Sequence, residues 1–272
     1  MSAPTLDHAR QTATGLLLAG LIALAWLAGH VYAVWFLHAA EQPILAALLF
    51  VLQAWLSVGL FIVAHDCMHG SLAPFRPWLN TLVGSVVLRM YMGFSYARLI
   101  AKHHAHHRHA GTEGDPDFDP DHPSDPVRWY WTFMRRYLDW YVFWVTGALV
   151  TSYVVALYFH GGVGRALHIL FWTGPSLVAS MQLFYFGTFR PHRHEDGDHF
   201  ADRHRSRSND YSVWASLLTC FHFGYHHEHH DAPNVPWWRL PAARRAALAR
   251  GAEPGCETRP ETRPETMQEI TA

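Results

Sequence analysis

The chain has 272 residues, half of them apolar, with only 16% charged and 14% aromatic, and a formal net charge of −1. That composition points to a membrane protein, and the charge balance argues against a nucleic-acid partner held by bulk electrostatics. The three cysteines, Cys67, Cys220 and Cys256, are odd in number and scattered, so they make neither a disulfide framework nor a C-x-x-C metal site.

In chain order, the N-terminus lacks the basic, apolar, small-residue pattern of a cleaved secretory signal. The first long apolar stretch, 14–37, reads as a retained anchor broken only by His30. About 20 apolar residues cross a bilayer as a helix. The stretch 43–64 meets that length without a formal charge, and the short turn 38–42 makes a helical hairpin of the two. A second hairpin is predicted over 140–159 and 166–189, joined by the turn 160–165. The intervening segment 79–100 is long enough to span but carries Gly84, Arg89, Gly93 and Arg98. The stretch 110–128 is rich in Gly, Asp and Pro and is predicted as a loop. Beyond Pro241 the chain turns basic, then Glu/Thr/Arg/Pro-rich. Residues 1–250 are thus expected to form one membrane-embedded domain, and 251–272 a disordered tail.

Eleven of the 22 histidines fall in three tight runs: His65 and His69; His103, His104, His106, His107 and His109; and His226, His227, His229 and His230. Each run contains an i,i+3 or i,i+4 pair, which a helix sets on one face about 5–6 Å apart at Cβ. A lone histidine on a helix is usually a surface or satisfied core residue, but three runs separated by long apolar stretches are not explained that way. Imidazole is the commonest biological ligand for transition metals. Chosen by spacing alone, His65, His69, His103, His106, His107, His226, His229 and His230 exceed what one tetrahedral zinc needs and suggest two metals sharing a pocket.

A single crossing by 79–100 would put the first two runs on opposite membrane faces. The segment is therefore read as re-entrant or interfacial, its non-helical backbone covered by protein. The turns 38–42 and 160–165 hold one Arg between them, whereas Arg98, Lys102, Arg108, Arg128, Arg135 and Arg136, and five arginines from Arg190 to Arg207, fall on the other side. The positive-inside rule then assigns the histidines to the cytoplasmic face. The expected fold is all-α: four transmembrane helices in two hairpins, a re-entrant segment and a cytoplasmic histidine-rich cap.

Nitrogen ligands alone do not name the metal. Zinc would offer hydrolysis through an activated water; two irons would offer dioxygen chemistry on an unactivated C–H bond, and the ligand count favours the second. In order and spacing the runs resemble the H-x(3–4)-H, H-x-x-H-H and H-x-x-H-H boxes of the membrane fatty-acid desaturase/hydroxylase superfamily. More narrowly, His65-Asp66-Cys67-Met68-His69-Gly70-Ser71-Leu72, Asp115-Pro116-Asp117-Phe118, Phe189-Arg190-Pro191-His192-Arg193 and Cys220-Phe221-His222-Phe223-Gly224-Tyr225-His226 resemble the bacterial β-carotene ketolases.

That resemblance implies a non-haem di-iron centre, O2 as co-substrate and electrons from a ferredoxin-type donor, in the bacterial cytoplasmic membrane. By position the ligands map to the eight histidines above, with one more between the second and third boxes. His192, just past the last span, is preferred for it over His199. The implied reaction oxidises C4 of a β-ionone ring to a ketone at both ends of β-carotene, giving echinenone and then canthaxanthin. Two successive hydroxylations would give a geminal diol that loses water, while the protein holds the ring and keeps bulk water away.

Asp66 and Asp117, with Asp115, are expected to serve catalysis by accepting hydrogen bonds from ligand rings; alternatively the Asp-Pro pairs are turn-formers. Phe94, Tyr96, Trp129, Tyr130, Trp131, Phe184 and Tyr185 are candidates for a substrate channel, or ordinary interfacial aromatics. His104, His109 and His227 lie in the runs but off the ligand spacing, and His8, His30, His38, His122, His160 and His168 have no partner at metal spacing. Arg190, Arg193, Arg203, Arg205 and Arg207 suit a docking patch for an acidic electron donor. The rival enzymes on this scaffold are a carotenoid hydroxylase and a fatty-acid desaturase, because histidine boxes hold the oxidant and not the substrate. A metal transporter would place its ligands near the bilayer midplane, along a path.

Overall fold

The computed structural model describes residues 7–194, 199–200, 202–251 and 256–257, with the side chains of His199, Cys256 and Glu257 outside that description. Asp7 caps α1 (His8–Val31) by accepting from the backbone N–H of Ala9 and Arg10, and a π-turn, Tyr32–Phe36, extends the helix. Pro43 opens α2 (Pro43–Met68) and Pro77 opens α3 (Pro77–Met92), each at a first-turn position where the missing N–H costs nothing. Gly93, left-handed at φ 76°, ends α3, and α4 (Tyr96–His109) follows within a few residues. Then come α5 (Pro126–Tyr137) and α6 (Trp140–Ala166), capped by Asp125 and Asp139, and α7 (Leu170–Phe184). A π-turn, Tyr185–Phe189, leads into the short α8 (Arg190–His192), and α9 (Val213–Cys220), α10 (His226–Asp231) and α11 (Leu240–Ala249) complete the α-helices of the described residues.

Among the described residues, three stretches are long and apolar enough to cross a membrane: His8–Phe36, Pro43–Met68 and Trp140–His192. The third runs for 53 residues but leaves helical geometry at Gly161 and Gly162, inside the predicted turn 160–165. Gly162 sits at φ 68°, where a Cβ would be strained.

The centre of the molecule is α2, whose C-terminal half is buried nearly all round, as a helix packed on several sides must be. It is tied to α1 by Trp26 Nε1 donating to Ser57 Oγ at 2.9 Å and by Gln53 donating to the Trp26 carbonyl at 3.1 Å. On another side Tyr91 of α3 donates to the Ser176 carbonyl of α7 at 2.9 Å, and Trp172 Nε1 donates back to the Tyr91 carbonyl at 3.0 Å. These bonds join helices where no water competes. α6 is peripheral, with only Val142 and Leu157 buried.

The segment predicted as 79–100 is two helices, α3 and α4, which leave the end of α2 and return to it: His103 Nε2 lies 2.6 Å from His69 Nε2. The loop between 110 and 125 is present as expected. Sequence pattern assigns no helix to 126–137, 213–220 or 240–249, where α5, α9 and α11 form. These are short helices, held by caps and tertiary packing more than by a long apolar period. Of the tail 251–272, Gly251 and the pair Cys256–Glu257, which bridges antiparallel to His199–Phe200, are described; the rest lies outside the described residues.

Candidate metal centre

The last turn of α2 and the cap residue that follows it supply His65 and His69, and α4 presents His103, His106 and His107 against them. The π-turn before α8 inserts an extra residue into the helical ladder and sets the aim of His192, a device common at functional sites. α10 supplies His226, His229 and His230. It is re-aimed after α9 by Phe221 and His222, both left-handed at φ 48° and 64°, and is anchored by a buried pair in which Arg244 of α11 donates to Glu228 Oε1 at 3.0 Å. Ser208 donates to the other Glu228 oxygen.

The nine predicted histidines fall into two groups. His65, His69, His103, His107 and His229 form one, and His106, His192, His226 and His230 the other, with the donor atoms of each group all within 4.8 Å of one another. Ring nitrogens meet head-on: His107 and His229 at 3.1 Å, His192 and His226 at 3.0 Å, His226 and His230 at 3.0 Å. In each such pair only one nitrogen can carry the shared proton, so lone pairs converge in a space with too few protons to satisfy them. His65 Nε2, His226 Nδ1 and His230 Nδ1 are buried without a hydrogen-bond partner. A pair of transition-metal ions fits this donor set, because soft-to-borderline cations take neutral imidazole.

Electrostatics agree. Burial, reinforced by neighbouring imidazoles, holds His69 down to about 3 and pushes His103, His107, His226, His229 and His230 well below the usual histidine range. These rings are neutral at pH 7, the form that binds metal. His106 differs: burial opposes its charge, but the Asp115 and Asp117 carboxylates outweigh that and raise it. Its Nδ1 lies 2.9 and 3.0 Å from the two Asp115 oxygens and 3.8 Å from Asp117. Only the Asp115 distances are those of hydrogen bonds, so Asp115 orients the His106 ring while its other nitrogen faces the second group. Burial works against the Asp115 charge, yet His106 holds its carboxyl below the usual range; burial, with the Asp115 charge, pushes Asp117 up to about 6 against the pull of His106. His192 Nδ1 donates to the Arg205 carbonyl at 2.7 Å, which fixes its tautomer in the same way.

Asp66 does not hydrogen-bond His65, since Oδ1 stands 4.0 Å from Nδ1. Its Oδ2 accepts the backbone N–H of Trp237 at 3.1 Å, tying the C-terminal segment to α2. His104 bonds the Met68 carbonyl at 3.0 Å, and His227 lies near Ser206 and Asp202, so both stay outside the groups, as does His109. The side chain of His199 lies outside the described residues. Of the arginine patch, Arg190 and Arg207 are engaged in folding the loop, on Tyr211 and on the Arg193 carbonyl, while Arg203 is exposed.

A largely apolar cavity opens onto both groups. His65, His103, His106 and His226 form part of its wall, with Phe61, Tyr91, Phe94, Phe133, Phe184 and Phe223 around them and Asp117 and Tyr137 as polar members. Phe94 and Phe184 stand where the channel reading put them. The other five aromatics do not line the cavity: Trp129 is fully buried with Nε1 on the Asp117 carbonyl, Trp131 is 65% exposed, Tyr130 bonds Ser180, Tyr185 is exposed, and Tyr96 packs beside Gly84. Phe61, Phe133, Tyr137 and Phe223 escaped the sequence reading because which way each helix is rotated decides what lines a cavity. Glu228 and Arg244 escaped it too, although a charged residue inside an H-x-x-H-H run followed by a basic helix was the available signal.

Known proteins bear on this site directly. The family model described as Fatty acid desaturase matches residues 42–147 and 140–260. A beta-carotene ketolase of Paracoccus sp. (strain N81106 / MBIC 01143) is 53% identical over 90% of this chain and 98% of its own length, and one of Paracoccus sp. (strain PC1) is 48% identical over 86% and 93%. A zeaxanthin 4-ketolase of Chlamydomonas reinhardtii is 34% identical over 89% of this chain and 55% of its own length. With its histidine-lined site and these relatives, the chain belongs to the fatty acid desaturase family, in the branch of the bacterial beta-carotene ketolases.

Proposed function

We propose that the chain is an O2-dependent membrane ketolase of carotenoids, which converts the C4 methylene of a β-ionone ring to a ketone at a di-iron centre. The observation that carries this reading is the apolar cavity that opens on both histidine groups at once, in a chain 53% identical to a protein named beta-carotene ketolase. His65, His69, His103, His107 and His229 would hold one iron, and His106, His192, His226 and His230 the other. When bound, the two irons supply the O2 activation that attack on an unactivated C–H bond requires.

The side chains do the rest. Asp115 and the Arg205 carbonyl accept hydrogen bonds from the Nδ1–H groups of His106 and His192 and fix those rings. Asp66 holds the C-terminal segment, and through it the third run, against α2. The phenylalanine wall grips an apolar ring and excludes water. Each turnover consumes one O2, two electrons and two protons and releases one water. The first leaves a hydroxyl on C4; the second leaves a geminal diol, which sheds water to give the ketone. A ferredoxin-type donor meeting the basic loops supplies the electrons on this reading.

Four membrane crossings accord with it. The 53 residues of Trp140–His192 amount to about 80 Å of helix against about 30 Å of hydrocarbon, and Gly161–Gly162 provides the return. The 16 residues of α3, about 24 Å, are too short to cross once and fit a re-entrant path. The arginine-rich side then faces the cytoplasm. Expression in bacteria that make β-carotene tests the function. Loss of β-carotene to a redder 4-ketone is expected; hydroxylated carotenoids alone, or altered acyl chains with untouched carotenoid, would refute it.

A further inference from the structure

The reaction proposed above oxidises one carbon twice, so the hydroxylated ring formed first has to be retained and presented again. We infer that Asp117 retains it: its free carboxylate oxygen accepts the hydrogen bond of the C4 hydroxyl, which makes Asp117 the residue that commits the ring to a ketone. This rests on the ketolase reading of the site.

The placement of Asp117 supports the role. It is the one carboxylate on the cavity wall among the described residues, a wall that phenylalanines and histidines also line. Its backbone is clamped on both sides: its N–H donates to Asp115 Oδ1 at 2.8 Å, and its carbonyl accepts from Trp129 Nε1 at 2.6 Å, with Trp129 fully buried. Tyr137 donates to Oδ1 and sets the carboxylate's orientation. The second oxygen, Oδ2, stands 3.8 Å from His106 Nδ1, beyond hydrogen-bond range. His106 does not need it, since both Asp115 oxygens already sit at 2.9 and 3.0 Å from that nitrogen. A held, charged acceptor with spare capacity in an apolar cavity is costly unless something fills it. An unreacted methylene ring offers no donor to it, whereas a C4 hydroxyl does. Once that hydroxyl is pinned on the Asp117 side, the remaining C4–H is left to face the histidines.

Two readouts separate this role from mere support of His106. Purified protein without reductant cannot turn over, and carotenoid binding can be followed by absorbance and tryptophan quenching. The wild type is expected to hold 4-hydroxy-β-carotene about tenfold tighter than β-carotene, the size of a hydrogen bond to a charged group, and Asp117→Asn to lose most of that difference. In pigment-producing cells the same variant is expected to raise the hydroxyl-to-ketone product ratio about tenfold by the same energy. Tyr137→Phe, which frees the carboxylate to rotate, should raise the ratio less, and keeps the test open should Asp117→Asn fail to fold. An unchanged ratio, or equal loss of both carotenoids on binding, overturns the inference. The binding comparison needs no turnover, so it decides the role of Asp117 even where wild-type cells form no ketone, an outcome that would refute the ketolase reading instead.

Discussion

Nine imidazoles gathered together, six of them buried and three half-buried, are held apart by what stands behind them. His106 leans on Asp115 and His192 on the Arg205 carbonyl, while His104 and His227, equally close in sequence, turn to other partners. His192→Ala is therefore expected to halve the iron per chain and abolish ketone formation, whereas His227→Ala leaves the metal content intact; elemental analysis after mild detergent purification checks both. Behind α10, the Glu228–Arg244 pair is buried, at 4% and 9% side-chain exposure. Arg244→Ala strands the carboxylate, and the expected loss is about 3–5 kcal/mol, read as a lower melting temperature in detergent. Glu228→Gln combined with Arg244→Met, which removes both charges, should recover most of that loss. Equal melting of the single and double variants would show that the pair does not anchor α10.

At the scale of elements, the site depends on helix ends aimed by local irregularities. The π-turn Tyr185–Phe189 orients His192, and the left-handed Phe221 and His222 swing α10 inward. Gly187 lies in that π-turn, where an added Cβ would come within 2.5 Å of Phe223 Cε1. Phe223 in turn packs edge-on against His65 and His226, at 4.6 and 4.8 Å between ring centroids. Gly187→Ala is thus expected to cost about 1–3 kcal/mol through overpacking and to cut ketone yield in pigment-producing cells. Unchanged yield and melting would mean that Phe223 moves freely and does not fix the cavity.

For the molecule as a whole, the convergent lone pairs mean that a metal bound as proposed above would be part of the fold. A ligand that binds only the folded state at a hundredfold excess over its Kd stabilises by about 2.7 kcal/mol, so chelation should lower the melting temperature and ferrous iron restore it. The expected path through the membrane is tested by single cysteines placed at Gly162 and at Gly114, in a variant free of native cysteines. An impermeant thiol reagent should label them from opposite faces of sealed vesicles. Labelling from the same face would overturn the four-crossing path.

The sequence by itself determined the helical class, the apolar stretches and the three histidine runs, because each is a periodic or contiguous property of neighbours along the chain. The resemblance of the flanking strings then supplied the family and His192. Only the tertiary structure decided how the nine histidines divide, with His106 parted from His103 and His107 of its own run, and which acid serves which ring. It alone paired Glu228 with Arg244, 16 residues on, and rotated Phe61, Phe133 and Phe223 into the cavity. The physical reason is that these are contacts between elements. They follow from helix rotation, a π-turn and two left-handed residues, and no local pattern in the sequence encodes how those rotations add up.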